Sequence, residues 1–383
     1  MLLFPLVLFP FLLLLLYFIV RPRPVNIPIK NRHVFITGGS SGIGLALAHQ
    51  AASQGARVSL LARSLSKLEE AKQSIRLSSG VDVSIFAADV RDYDAVQKAI
   101  NDAGPIDVLV VNQGVFVPQE LEKQGLEEVK FMIDVNLMGS FNVIKAVLPL
   151  MKERKDRGPT SIALMSSQAG QVGVYGYTAY SASKFGLRGL AEALQQEVIA
   201  DNIHVTLIFP PDTDTPGFEQ ESKVRPELTT ILAGSSGSMK ADKVAKKALD
   251  GIKSGSFIVP CNFEGQMLAI ATAGLSPQRS FLMAFFEVAF IGICRLVALF
   301  FQWNWYGSIE QWHAKKKGKH AIKDLPIYNQ MKRYIAHLIE LIFDQLDVDL
   351  RLITSFSIQH SETEALPYSA SKFQHISTNA MLI

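Results

Sequence analysis

A doubly wound α/β fold on a parallel sheet is predicted by three observations. Short β-rich runs alternate with helical stretches through the middle of the chain, the pattern of βαβ units. Runs such as Val108 to Val111 are continuously apolar, as in strands covered on both faces. A glycine-rich turn joins the first β-run to the first helix.

The elements follow in order. Val34-Phe35-Ile36 is the first strand, and a helical pattern runs from the glycine turn through Gln54. Arg57 to Ala62 reads as strand and Lys67 to Arg76 as helix. Val81 to Ala87 alternates, Val108 to Val111 is apolar throughout, and residues 126–151 have helical period. Ser161 to Met165 and His204 to Phe209 are further strands. Right-handed crossovers would bring their carboxyl ends to one edge, where such folds bind ligands.

Thr37-Gly38-Gly39-Ser40-Ser41-Gly42-Ile43-Gly44 lies between the first strand and its helix. Glycines there permit positive φ and close approach of backbone to a pyrophosphate. The helix start adds unbonded N–H groups and the positive end of its dipole. Gly38, Ser40, Ser41, Gly42, Ile43 and Gly44 are therefore the predicted dinucleotide cradle of a Rossmann-type fold. The second strand ends Ala62-Arg63, without the acidic residue that would hold a ribose 2′-hydroxyl. Arg63 would suit a 2′-phosphate, so NADPH is the expected cofactor. Asp89 and Val90 follow the third strand and are expected at the adenine edge. Asn112 and Gly114 follow the fourth and are expected near the cofactor. No metal is assigned.

Tyr180 and Lys184 stand four apart, on one face of a helix. A tyrosine titrates near pH 10, and an adjacent ammonium should bring it closer to neutrality. Tyr180 could then exchange a proton with a carbonyl oxygen as hydride moves. Ser167, thirteen residues earlier, could hydrogen-bond the same oxygen.

These motifs, TGxxxGxG, an Asn-x-Gly, a Ser and YxxxK in this order, resemble the short-chain dehydrogenase/reductase family over about residues 31–260. The resemblance implies that Asn136 holds a water in the proton relay and that Lys184 binds the nicotinamide ribose. It also places Thr215 among the cofactor-binding residues, and by analogy it admits a homodimer. Gln113 stands where the family usually has Ala, and Pro211 where it usually has Gly. The string Phe209-Pro210-Pro211-Asp212-Thr213-Asp214-Thr215-Pro216-Gly217 is similar to that of the 3-ketodihydrosphingosine reductases. That likeness implies an NADPH-dependent reduction of a long-chain amino ketone, 3-ketosphinganine, to sphinganine at the endoplasmic reticulum membrane. Asp212 and Asp214 could attract the substrate's ammonium, or simply cap a turn. The alternatives are a membrane-anchored reductase of steroid or retinoid carbonyls, and a non-catalytic NADP-binding scaffold.

The ends of the chain carry its apolar excess. Of 383 residues 48% are apolar and 19% charged, with a net charge of +3 and mean hydropathy +0.20. Such a balance excludes disorder and argues against nucleic acid as a partner. Residues 1–20 hold no charge, and as a helix they would span about 30 Å, a bilayer's hydrocarbon core. A cleaved signal peptide would have a basic start and small residues before the cut, and neither is present. Arg21, Arg23, Lys30 and Arg32 follow, which leaves the rest of the chain in the cytosol. Two cysteines, Cys261 and Cys294, agree with a reducing compartment.

A second apolar stretch, Phe281 to Phe301, includes Glu287 and Arg295. It reads as a spanning helix, a re-entrant or interfacial helix, or a buried core helix, with membrane contact favoured. Trp303, Trp305 and Tyr306 would form an interfacial belt. The domains expected are thus an anchor (1–20), a reductase domain (31–260), a membrane-associated region (266–306) and a tail (321–383). Within the tail, residues 368–373 repeat the catalytic string of 180–185, and Ser355 falls thirteen before Tyr368. With no glycine turn or sheet before it, that copy is expected to be non-catalytic.

Overall fold

Seven strands form one sheet in the computed structural model, which describes residues 3–20, 25–154, 158–233 and 237–316. Helix α1 (Leu3–Val20) precedes the alternating core: β1 (His33–Thr37), α2 (Gly42–Ser53), β2 (Arg57–Ala62), α3 (Leu65–Ser79), β3 (Ser84–Ala87), α4 (Tyr93–Ala103) and β4 (Val108–Val111). Next come α5 (Leu126–Ile133), a π-helical turn (Asp134–Met138), α6 (Gly139–Lys152), β5 (Thr160–Met165), α7 (Thr178–Val198) and β6 (Ile203–Phe209). A two-residue strand β7 (Thr213–Asp214) leads to α8 (Pro216–Ser222) and α9 (Glu227–Ala233). The described chain closes with β8 (Met239–Lys240), α10 (Ala241–Lys253), β9 (Ile258–Pro260), α11 (Phe263–Ala271) and α12 (Phe281–Lys316).

The strand order is β3-β2-β1-β4-β5-β6-β9, and every neighbouring pair is parallel. Successive side chains point to opposite faces. Val34 and Ile36 therefore pack with buried residues of α2, α3 and α10, while Phe35 packs on the other face with those of α4, α6 and α7. Each large side chain so buried contributes about 1.5–3 kcal/mol. The order reverses between β1 and β4, which opens a crevice at the carboxyl ends of these strands.

Three differences from the sequence reading have local causes. The third strand is Ser84–Ala87 rather than Val81 to Ala87, because it pairs with β2 only opposite Ser59 to Ala62. The long helix over 126–151 is broken into α5 and α6 by the π-turn, which no periodicity announces. The seventh strand, β9, is three residues long, too short for a period to register.

The two apolar segments meet. Leu16 of α1 is buried with Ala284 and Phe285 of α12. Phe9 sets its ring edge-on to Phe285 at 4.7 Å, and Tyr17 does so to Phe281 at 5.7 Å. Helix α12 continues through the expected aromatic belt to Lys316 without a break. Its 36 residues rise about 54 Å, more than a hydrocarbon core. Glu287 and Arg295 fare differently: Gln278 donates to Glu287 at 2.7 Å, whereas Arg295 is exposed. Arg21, Arg23, Ser355 and the repeated string at 368–373 lie outside the described residues.

Candidate active site

The candidate residues contributed by the strands lie just past their carboxyl ends. The glycine turn follows β1, Arg63 follows β2, and Asp89 and Val90 follow β3. Asn112 and Gly114 follow β4, Ser167 follows β5, and Thr215 lies beyond β6. Asn136 comes from the π-turn, and Tyr180 and Lys184 from α7.

The turn after β1 has the shape of a nucleotide cradle. Gly38 and Gly42 have φ of +62° and +56°, where side chains are strained. A Cβ on Gly44 would lie 2.3 Å from the Gly38 oxygen and 2.5 Å from Asn112 Nδ2. A Cβ on Gly42 would meet Thr215 Cγ2 at 3.1 Å, so Thr215 forms the wall facing the turn. Ser40 is half-buried, and half-buried Ile43 packs on the core behind the turn. Ser41 is the N-cap of α2, but its side chain makes no capping bond. The α2 N-terminus is thus not closed by its own cap, which fits a pyrophosphate there.

Asn112 ties the turn to β4. Its Nδ2 donates to the oxygens of Thr37 and Gly38, both at 3.2 Å, and its N–H to Thr37 Oγ1 at 3.0 Å. Gln113, the departure noted in the sequence, accepts from Thr37 Oγ1 and donates to Ser140 Oγ at 3.1 Å. It thereby links the turn to α6, a contact that Ala could not make.

Arg63 is exposed at the end of β2. Its charge reaches Asp89, whose carboxyl is held below the usual range chiefly by hydrogen bonding from Arg91. Arg91 donates to both Asp89 oxygens through Nε and Nη2. Val90 is buried against Gly139, where a Cβ would clash at 2.6 Å.

Asn136 is wholly buried. Its Oδ1 accepts from Val115 N at 2.8 Å, and its Nδ2 donates to Val115 O and to Ser183 Oγ, each at 3.0 Å. The π-turn thus joins the end of β4 to α7. Lys184, also buried, donates from Nζ to the Met165 oxygen at 3.0 Å, at the end of β5. A Cβ on Gly114 would lie 3.6 Å from Lys184 Nζ and 3.7 Å from Asn136 Oδ1, so this glycine faces both.

Tyr180 stands above Lys184, whose Nζ lies 5.5 Å from the centre of the ring. The expected lowering of its pKa by Lys184 is not what the structure gives. Burial pushes the phenol above its ordinary value, opposed by its hydrogen bond with Ser167 and reinforced by the charges of Glu221 and Asp212. Lys184 responds instead: burial brings its ammonium down to about 8. Ser167 caps a short 3-10 turn by accepting from Ala169 N at 3.1 Å.

The sequence reading missed the residues around this centre. Phe116 packs edge-on against Tyr177 and Tyr180, with ring centres 4.6 and 4.3 Å away. Tyr177 donates to Glu221 Oε1 at 2.9 Å. Arg225 pairs with Glu221, and with Asp212 at 2.9 Å. Asp212 is therefore already partnered, whereas Asp214 is exposed on β7. The aromatic residues carry no motif, and Glu221 and Arg225 look like surface charges of a short helix until α8 folds over the site.

Comparisons with known proteins agree with this architecture. A family model described as short chain dehydrogenase matches residues 32–225. The chain is 71% identical over 298 residues to "3-dehydrosphinganine reductase TSC10A" of Arabidopsis thaliana, covering 78% of this chain and 91% of that protein. It is 40% identical over 299 residues to "3-dehydrosphinganine reductase" of Danio rerio, covering 75% and 89%. Among solved structures, a levodione reductase superposes with a TM-score of 0.57 at 27% identity, covering 63% of this chain and 98% of that one. The chain belongs to the short-chain dehydrogenase family, alongside the 3-dehydrosphinganine reductases.

Proposed function

We propose that this protein reduces 3-ketosphinganine to sphinganine with NADPH, at the endoplasmic reticulum membrane and with its catalytic domain in the cytosol. The observation that carries the reading is the 71% identity, over 78% of the chain, to a protein named for that reaction. The side-chain arrangement suits the chemistry. The names of these relatives do not favour a steroid or retinoid substrate, and the complete set of proton-handling groups counts against a scaffold.

NADPH, when bound, supplies the hydride. Tyr180 donates its phenolic proton to the carbonyl oxygen, and its raised pKa keeps that proton in place at neutral pH. The phenolate left behind is stabilised by the Lys184 ammonium beneath the ring. Ser167 donates a hydrogen bond to the same carbonyl oxygen. Asn136 keeps one lone pair of Oδ1 for a relay water while its other bonds fix the helix. Lys184 and Gly114 would hold the ribose, Asp89 and Val90 the adenine, and Arg63 the 2′-phosphate.

The domain division expected from the sequence belongs to this reading: an anchor at 1–20, the reductase domain at 31–260, a membrane region at 266–306 and a tail at 321–383. Packing of α1 against α12 supports a common location for the two apolar segments in the bilayer. A homodimer enters by analogy with the fold alone.

Purified protein in detergent, assayed with NADPH and 3-ketosphinganine beside a steroid and a retinoid ketone, tests the activity. Turnover of the sphingoid ketone is expected, and its failure alongside reduction of another ketone overturns the reading. Tyr180→Phe should lower kcat by about 10²-fold or more. Protease protection on microsomes, with a tag at each end, tests the cytosolic orientation.

A further inference from the structure

Beside the candidate catalytic tyrosine, one guanidinium serves two carboxylates. Arg225 donates from Nε and Nη2 to Glu221 Oε1 and from Nη1 to Asp212 Oδ2. Tyr177 also donates to Glu221 Oε1. Every one of these bonds to Glu221 falls on the same oxygen, so Oε2 receives no donor among the described residues. With both carboxylates ionised, the cluster carries one net negative charge.

The cluster is set close to where the carbonyl reacts. Tyr177 touches Tyr180 through their ring edges at 6.0 Å, and Phe116 bridges both. Arg225 is clamped between the rings of Tyr177 and Phe218, at 5.5 and 5.2 Å. Its side chain is 6% exposed, that of Glu221 13% and that of Asp212 30%. The pair is therefore largely desolvated, and its excess charge is only weakly screened by water. Burial raises Glu221 above the usual carboxylate range despite Arg225, and the charges of Glu221 and Asp212 are both felt at Tyr180. A buried carboxylate of this kind gains from a second cation.

In 3-ketosphinganine the amino group sits on the carbon next to the ketone. When the ketone oxygen is at Tyr180, the ammonium lies within a few ångströms of it. We propose that Glu221, supported by Asp212, is the residue that recognises the substrate's ammonium and so selects an amino ketone over a plain long-chain ketone. Asp214 is excluded from this role because it is exposed on β7, in register with Lys240. The inference rests on the substrate reading above.

The test compares two substrates in the full-length protein: 3-ketosphinganine, and the same long-chain ketone without its amino group. Wild type should show a KM at least about tenfold lower for the amino ketone. Glu221→Gln keeps an oxygen for Tyr177 and Arg225 while removing the charge. It should erase that preference while leaving the KM for NADPH little changed. Asp212→Asn, at the more open end, should reduce the preference in part without disturbing the fold. Equal KM values for the two ketones in wild type would overturn the inference while leaving the reductase activity standing. Glu221→Gln weakening both ketones equally would also overturn it, since that pattern marks a purely structural ion pair. Absence of 3-ketosphinganine turnover, with reduction of the deaminated ketone retained, would instead reject the substrate reading and this inference with it.

Discussion

The buried ammonium of Lys184 donates to the main-chain oxygen of Met165 at 3.0 Å, which pins α7 to the end of strand β5. Tyr180 is one helical turn away on the same face. The spacing of the two residues is a property of the helix, and this bond adds to the core packing of Leu187, Ala191 and Leu194 that holds the helix on the sheet.

The burial of Lys184 also sets a pH dependence. Burial brings Lys184 down to about 8. Raising the pH through that value removes its proton and leaves the Tyr180 phenolate without a positive neighbour. Reduction should therefore be constant below about pH 7 and fall above pH 8, approaching a tenfold loss per unit. A kcat/KM profile for the ketone checks this, and a flat profile from pH 7 to 10 would count against Lys184 as the stabilising cation.

Gly44 allows no side chain. Its Cβ would stand 2.3 Å from the Gly38 oxygen, a contact that backbone alone could relieve. Gly44→Ala should cost about 1–3 kcal/mol of stability and distort the cradle. Thermal melts with and without NADPH should show a lower Tm and a smaller rise on adding cofactor. A wild-type rise in the variant would show that the turn is not the cofactor site.

Arg63 is exposed at the end of β2, where Ala62 occupies the acidic residue's place. Loss of a charge-assisted bond to a phosphate costs about 1.5–3 kcal/mol, so Arg63→Ala should raise the KM for NADPH about 10- to 100-fold. The KM for NADH should scarcely move. Equal effects on both would remove Arg63 from 2′-phosphate recognition.

Asn136 bridges Val115 and Ser183 with no water needed for these bonds. Asn136→Ala should strand the Val115 N–H and carbonyl oxygen, while Ser183 keeps its bond to the Tyr180 oxygen, lowering stability by about 1–3 kcal/mol. The activity loss should exceed what the fall in folded fraction explains if Asn136 also serves the relay. Activity measured on protein shown folded by circular dichroism separates the two effects.

Much of the protein was legible in its sequence because the signals are local. The turn at Gly38 to Gly44, the pairing of Tyr180 with Lys184 on one helix face, and the continuous apolar strands all follow from neighbours a few residues apart. The apolar segments near each end were likewise visible as composition. What only the tertiary structure decided is how distant pieces meet. The π-turn that turns Asn136 toward Val115 and Ser183 has no sequence period of its own. Gln113 looked like a departure from a motif until Thr37 and Ser140 were seen on either side of it. Asp212 looked like a ligand for an ammonium until Arg225, thirteen residues later in the chain, was found paired with it. Glu221 emerged in its place because its Oε2 receives no donor among the described residues, although its Oε1 also pairs with Arg225. Whether a charge is free or satisfied depends on partners that folding supplies, and burial then sets how strongly that charge is felt.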